Sequence, residues 1–212
     1  MVFKIVGLGG GMMFFEPVAV VSPHEASDEV VVATPLSEAE MRLRRAAPDL
    51  AAVPEVTLVA YSVSGRSARA VRTSMNTGRP AEVDGGERFD GVTRWRYSAR
   101  WQGRGAQQCV PETVVATVAI TVILPDLIEP EKLSRRDREA WDRYFKALAT
   151  HEMNHARIAL HGRQEMEKAM RAATGCEDMQ AASSRVSSDI SAASREYDRL
   201  TEHGKREGAV FP

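Results

Sequence analysis

From Ser134 to Ala173 the sequence keeps a helical period, and the inward stripe of that helix is not purely apolar. Trp141, Phe145, Leu148, Ala159, Met166 and Ala169 recur at three-and-four spacing, with Gly162 and Ala173 on the same line. Glu152 and His155 occupy two positions of that stripe, where a plain bundle would carry Leu or Ala. Leaving such groups buried without partners costs on the order of 2–7 kcal/mol each. The fold must therefore supply something that satisfies them. The run His151-Glu152-Met153-Asn154-His155 names a candidate. Residues four apart on a helix stand one turn above each other, so both imidazoles can face one metal ion. Glu152 then lies beside the ion, where a carboxylate can take a proton from water. H-E-x-x-H on a helix is the zinc-hydrolase signature.

Thr174-Gly175 ends this helix. A second stripe follows through Met179, Ala182, Val186, Ile190, Ala193, Tyr197 and Leu200, and stops at Gly204. A short connection between matching stripes predicts a long antiparallel helical hairpin that carries the H-E-x-x-H run.

A catalytic zinc takes three protein ligands and keeps one position for water. His161 has the metzincin spacing, but Ile158 stands where that pattern needs a helix-ending glycine. In a continuous helix His161 sits roughly 15 Å along the axis from His151. Folding the hairpin at Gly175 brings His203 to about one turn from the site, on the line of Leu200. A histidine there can instead cap the helix C-terminus. Glu196, level with His155, is the carboxylate alternative. Tyr197 is a candidate catalytic donor to an oxyanion, or a core aromatic with a satisfied hydroxyl. Asp198 is a candidate acceptor behind a ligand imidazole. His24 stands alone in a segment broken by Pro17, Pro23 and Pro35.

Ahead of the hairpin the period is two. Val56 to Val63 reads as a strand, followed by a Ser64-Gly65 turn and a helix to about Asn76. Thr93 to Trp101 puts Trp95, Tyr97, Ala99 and Trp101 on one face and Arg94, Arg96, Ser98 and Arg100 on the other. Thr113 to Leu124 is a further strand, with Pro125 expected to stop it. The glycines at 103 and 105 predict that these two strands pair antiparallel. Ser37 is a candidate cap for a short helix from Leu36 to about Ala46.

Lys and Arg total 28 against 29 Asp and Glu, so no basic excess argues for nucleic acid. The apolar run Ile5 to Phe15, after Lys4, fits the core of an export signal and is too short to span a bilayer. A strand-like arm is the structural alternative. Cys109 and Cys176 lack C-x-x-C spacing; two buried thiols and one disulfide both remain open.

Five blocks together resemble a bacterial family of predicted secreted zinc-dependent proteases, domain of unknown function 922. They are Tyr61-Ser62-Val63-Ser64-Gly65-Arg66-Ser67, Thr93-Arg94-Trp95, Leu124-Pro125, the run from His151 to His155, and Tyr197-Asp198-Arg199-Leu200-Thr201-Glu202-His203-Gly204. The resemblance covers roughly residues 55 to 212, and Arg79 departs from it by splitting a usual Gly-Pro. It implies export, zinc binding, His203 rather than His161 as third ligand, and a Cys109–Cys176 pair. It implies no substrate.

The expected protein is α+β, a small antiparallel β-sheet packed against the helical hairpin. Residues 1–53 form an N-terminal segment and residues 54–212 a zinc-protease-like domain. The expected function is zinc-dependent hydrolysis of a peptide or protein substrate in the periplasm or outside the cell. His151, His155 and His203 would hold Zn2+ and Glu152 would be the base. The rivals are an amidase on cell-wall peptides and a zinc-stabilised binding module without turnover; a fourth protein ligand in place of water would mark the latter.

Overall fold

A computed structural model describes residues 3–8, 12–17, 36–80, 88–103 and 108–212. His24 and the centre of the expected turn after Gly103 lie outside these. The chain clusters into two compact units, and β4, β5, α4 and α5 contribute residues to both.

The first unit contains β1 (Phe3–Leu8) and β2 (Met12–Pro17), which pair antiparallel with Phe3 opposite Pro17. The apolar run expected as an export signal thus falls largely on these two strands. Most of β4 (Val92–Gly103) follows, with Tyr97 opposite Gly7. Tyr97, Ala99 and Trp101 are buried while Arg96 and Arg100 are exposed, as the alternation requires. The first half of β5 (Cys109–Leu127) lies next in the sheet. Residues 159–171 of α4 (Arg135–Arg171) and 176–192 of α5 (Cys176–Thr201) complete the unit. The Tyr97 hydroxyl donates to the Ala159 carbonyl at 2.8 Å over Gly162, where a Cβ would run into that hydroxyl. Cys109 and Cys176 are bonded, with Cα atoms 5.2 Å apart.

In the second unit, α1 (Glu38–Ala46) begins at Ser37, whose hydroxyl accepts from the Glu40 N–H, and α2 (Pro48–Ala51) follows. The strand β3 (Val56–Val63) leads to α3 (Ala68–Gly78), capped by Ser67. Val56 lies opposite Ile120 and Val63 opposite Leu127, so β3 runs parallel to β5. The expected all-antiparallel sheet is corrected to a mixed one. The reason is topological: α3 and β4 intervene between β3 and β5, giving the long crossover that parallel pairing needs.

β5 also continues through Pro125, where a stop was expected. The contacts of Gln102 with Thr113 and of Ser98 with Thr117 run β4 and β5 in opposite senses. β4 begins only at Val92, so at Pro125 that flank of β5 asks for no N–H.

Leu43, Leu50, Val71, Met75, Ile120 and Leu124 form the unit's core, all almost fully buried. Asp90 is anchored beside it. Its carboxylate accepts from Arg72 at 2.8 Å and from the Tyr144 hydroxyl at 2.7 Å, and its carbonyl accepts from Tyr61 at 2.8 Å. That anchor fixes the approach to Gly91 and Thr93, which touch the candidate site. No described helix is long and apolar enough to cross a membrane.

Candidate metal centre

Ser134 precedes α4, its hydroxyl accepting from the Asp137 N–H, and the helix runs unbroken through Ile158. Its inward face buries His151, Glu152 and His155. His151 Nε2 and His155 Nε2 lie 3.1 Å apart. Asp198 Oδ1, from α5, lies 3.1 Å from the first and 3.0 Å from the second. These are the described residues that form a group able to hold a metal ion.

A polar partner stands behind each ring. His151 Nδ1 is 2.7 Å from Glu207 Oε2, and His155 Nδ1 is 2.8 Å from the Ser194 hydroxyl. With both Nδ1 atoms donating outward, two imidazole lone pairs and a carboxylate oxygen converge on one point. Three acceptors meeting at 3 Å repel unless a proton or a cation sits among them. Four-coordinate zinc with ligand bonds of roughly 2.0–2.1 Å separates its ligands by roughly 3.3 Å. The triangle is within a few tenths of an ångström of that, and two imidazoles plus a carboxylate suit a borderline cation. The residues fit a metal ion.

The electrostatics point the same way. Burial opposes charging the His151 ring, but its hydrogen bonds to Asp198 and Glu207 and the charge of Glu152 outweigh it, so its pKa is raised. Burial also disfavours the Asp198 carboxylate, yet the two imidazoles hold its pKa well below the usual range. Glu152 is raised by burial, against the pull of His155, the Thr93 hydrogen bond and His151. The Thr93 hydroxyl lies 2.7 Å from Glu152 Oε2, and a Cβ on Gly91 would stand 2.6 Å from Oε1. The carboxylate is therefore held between a hydroxyl and a bare backbone.

Of the residues singled out in the sequence, His151, Glu152, His155 and Asp198 come together. Asp198 was expected behind an imidazole and instead puts an oxygen at the centre. His203 lies just outside: its Nδ1 is 3.6 Å from Asp198 Oδ1, its side chain is 47% exposed, and its ring stacks on Phe89 at 4.6 Å. Tyr197 stacks on His151 at 4.9 Å and donates to Glu207 Oε1 at 2.6 Å, so its hydroxyl is engaged. Burial, and the hydrogen bond to Glu207 after it, raise its pKa. His161 is exposed on α4, and Glu196 is exposed and paired with Arg199 at 2.7 Å.

Sequence reasoning missed Ser194, Thr93 and Glu207. Ser194 carried a signal, since it precedes Asp198 by one helical turn. Glu207 carried none, because it lies beyond α5 in a short 3-10 turn, Lys205–Glu207.

The family described as bacterial protein of unknown function (DUF922) matches residues 58–204. The chain belongs to this family. The match includes the His151–His155 run and ends on Gly204, so the family resemblance read from those blocks holds. No curated protein and no solved structure matches the chain.

Proposed function

We propose that this chain is a zinc-dependent peptide hydrolase that works outside the cytoplasm. The observation that carries the reading is the convergence of His151 Nε2, His155 Nε2 and Asp198 Oδ1 with Glu152 on the same helix face. His151, His155 and Asp198 would hold the ion. When bound, zinc acts as a Lewis acid that acidifies water and polarises a carbonyl.

Glu152 is the general base in this reading. Its carboxylate, whose pKa burial raises, takes a proton from water on one oxygen while Thr93 holds the other. His203 lies beside the Asp198 oxygen yet outside the ligand triangle. The helical hairpin that carries these groups is supported by three contacts. His151 meets Asp198, Asn154 meets Tyr197, and His155 meets Ser194, so α5 descends as α4 rises. Work outside the cytoplasm is supported by the Cys109–Cys176 bond, which oxidising compartments favour.

The test is Glu152→Gln. The amide cannot accept the proton, so turnover should fall on the order of a hundredfold to ten-thousandfold, with zinc retained. Wild type and variant, both zinc-loaded, are compared on a degenerate peptide library. Equal cleavage would remove Glu152 from the mechanism. No cleavage by either protein would favour a zinc-stabilised binding module.

A further inference from the structure

We propose that Glu207 is a positioning residue: it fixes the tautomer and orientation of His151, so that the Nε2 lone pair faces the centre. The inference rests on the reading of His151 as a ligand, and it extends the site three residues past the segment the family covers.

An ionised carboxylate only accepts hydrogen bonds. The 2.7 Å contact between Glu207 Oε2 and His151 Nδ1 therefore puts the ring hydrogen on Nδ1. The other oxygen of Glu207 accepts from the Tyr197 hydroxyl at 2.6 Å, and that hydroxyl accepts from Asn154 Nδ2 at 2.8 Å. Both carboxylate oxygens are thus tied and the plane of the group is set.

The ring it holds has little freedom. Tyr197 stacks on one side, and a Cβ on Gly204 would stand 3.2 Å from His151 Cγ. The backbone is bent to deliver Glu207 to this place. Glu202, His203 and Gly204 take φ of 51°, 52° and 80° in succession, which turns the chain after α5. Two successive non-glycine residues in the left-handed region are strained, so the geometry is one the surroundings must maintain. His155 has no such partner, because a Ser194 hydroxyl can donate as well as accept. An anion on Nδ1–H also makes Nε2 a better donor to a metal.

Glu207 is partly exposed, so substitution there opens no cavity in the core. The experiment compares wild type, Glu207→Ala, Glu207→Gln and Tyr197→Phe at one fixed pH. Zinc affinity is read by competition with a chelator. The His151 tautomer is read separately, in metal-free protein with the ring neutral, from long-range nitrogen–proton NMR spectra. Glu207→Ala should weaken zinc binding about ten- to a hundredfold and move the ring toward the Nε2–H form. Glu207→Gln should recover part of both, since its carbonyl can accept the same hydrogen. Tyr197→Phe should have a smaller effect than Glu207→Ala. An unchanged tautomer in Glu207→Ala, or equal losses in the Ala and Gln variants, overturns the proposal. A shifted tautomer in a protein that binds no zinc leaves the positioning role standing and removes the metal reading.

Discussion

Asp198 and His203 sit 3.6 Å apart, and their exchange of roles is decided by which oxygen or nitrogen reaches the two imidazoles. Asp198 Oδ1 reaches both, so Asp198→Ala should weaken zinc binding on the order of a hundredfold or more, at least the loss seen on removing a ligand's support. His203→Ala should change it less than about tenfold. Chelator competition measures both, and the opposite order would make His203 the third ligand. Without metal, the same residues give a pH signature. His151 has a raised pKa in the fold, so its stabilisation is complete below the unfolded value of 6.5 and is lost as pH rises through the folded value. Glu152, also raised, acts in the same direction from its own unfolded value of 4.5. Asp198 is lowered, so its contribution is lost only in acid, below 3.8. Metal-free protein should thus be less stable at about pH 9 than at about pH 6, by urea unfolding with chelator present. Excess zinc should reverse the trend, because the ion binds the neutral ring. A flat profile with chelator would contradict the assigned proton positions.

The elements carry their own test at Gly162, which lies under Tyr97 on the buried face of α4. Gly162→Ala gains about 1 kcal/mol of helix propensity. Against that, the new methyl collides with the Tyr97 hydroxyl and stands 2.7 Å from Ile190 Cγ1. Overpacking costs about 1–3 kcal/mol, and displacing Tyr97 adds the loss of its bond to the Ala159 carbonyl. The net should be destabilising by about 1–2 kcal/mol, read as a lower urea midpoint; a rise would show that Tyr97 moves freely. Element by element, periodicity told most of the story. The edges of β3 are those read for it, and Ser37 caps the helix it precedes. The second half of α5 was illegible for a physical reason. Ala193 and Leu200 look like core residues, yet both are exposed, Leu200 at 51%, while Ser194 and Asp198 turn inward. At a polar site the buried face carries the partners of the histidines, and an apolar stripe extrapolated through it lands one residue off. His203 was placed by that extrapolation, and α5 ends at Thr201 before reaching it. The parallel run of β3 was hidden too, since local sequence does not report which distant strand a segment joins.

Across the whole molecule, the Cys109–Cys176 bond closes a separation of 67 residues. Loop-closure entropy at that length makes it worth roughly 4 kcal/mol. Cys109→Ala with Cys176→Ala should lower the unfolding free energy by about that amount, since Trp101 Nε1 also loses its sulfur contact at Cys109. Denaturant unfolding of oxidised wild type against the double variant checks it, and equal midpoints would mean that the bond constrains nothing. In the proposed reading, the acceptors around His151, His155 and Asp198 hold one ion with a position left open. This reading is tested most directly by metal analysis of the purified protein together with an anomalous-scattering map at the zinc edge. One zinc per chain is expected, bonded to His151 Nε2, His155 Nε2 and an Asp198 oxygen, with water in the fourth position. No ion at the site, or a fourth protein ligand closing it, would overturn the metal-hydrolase reading.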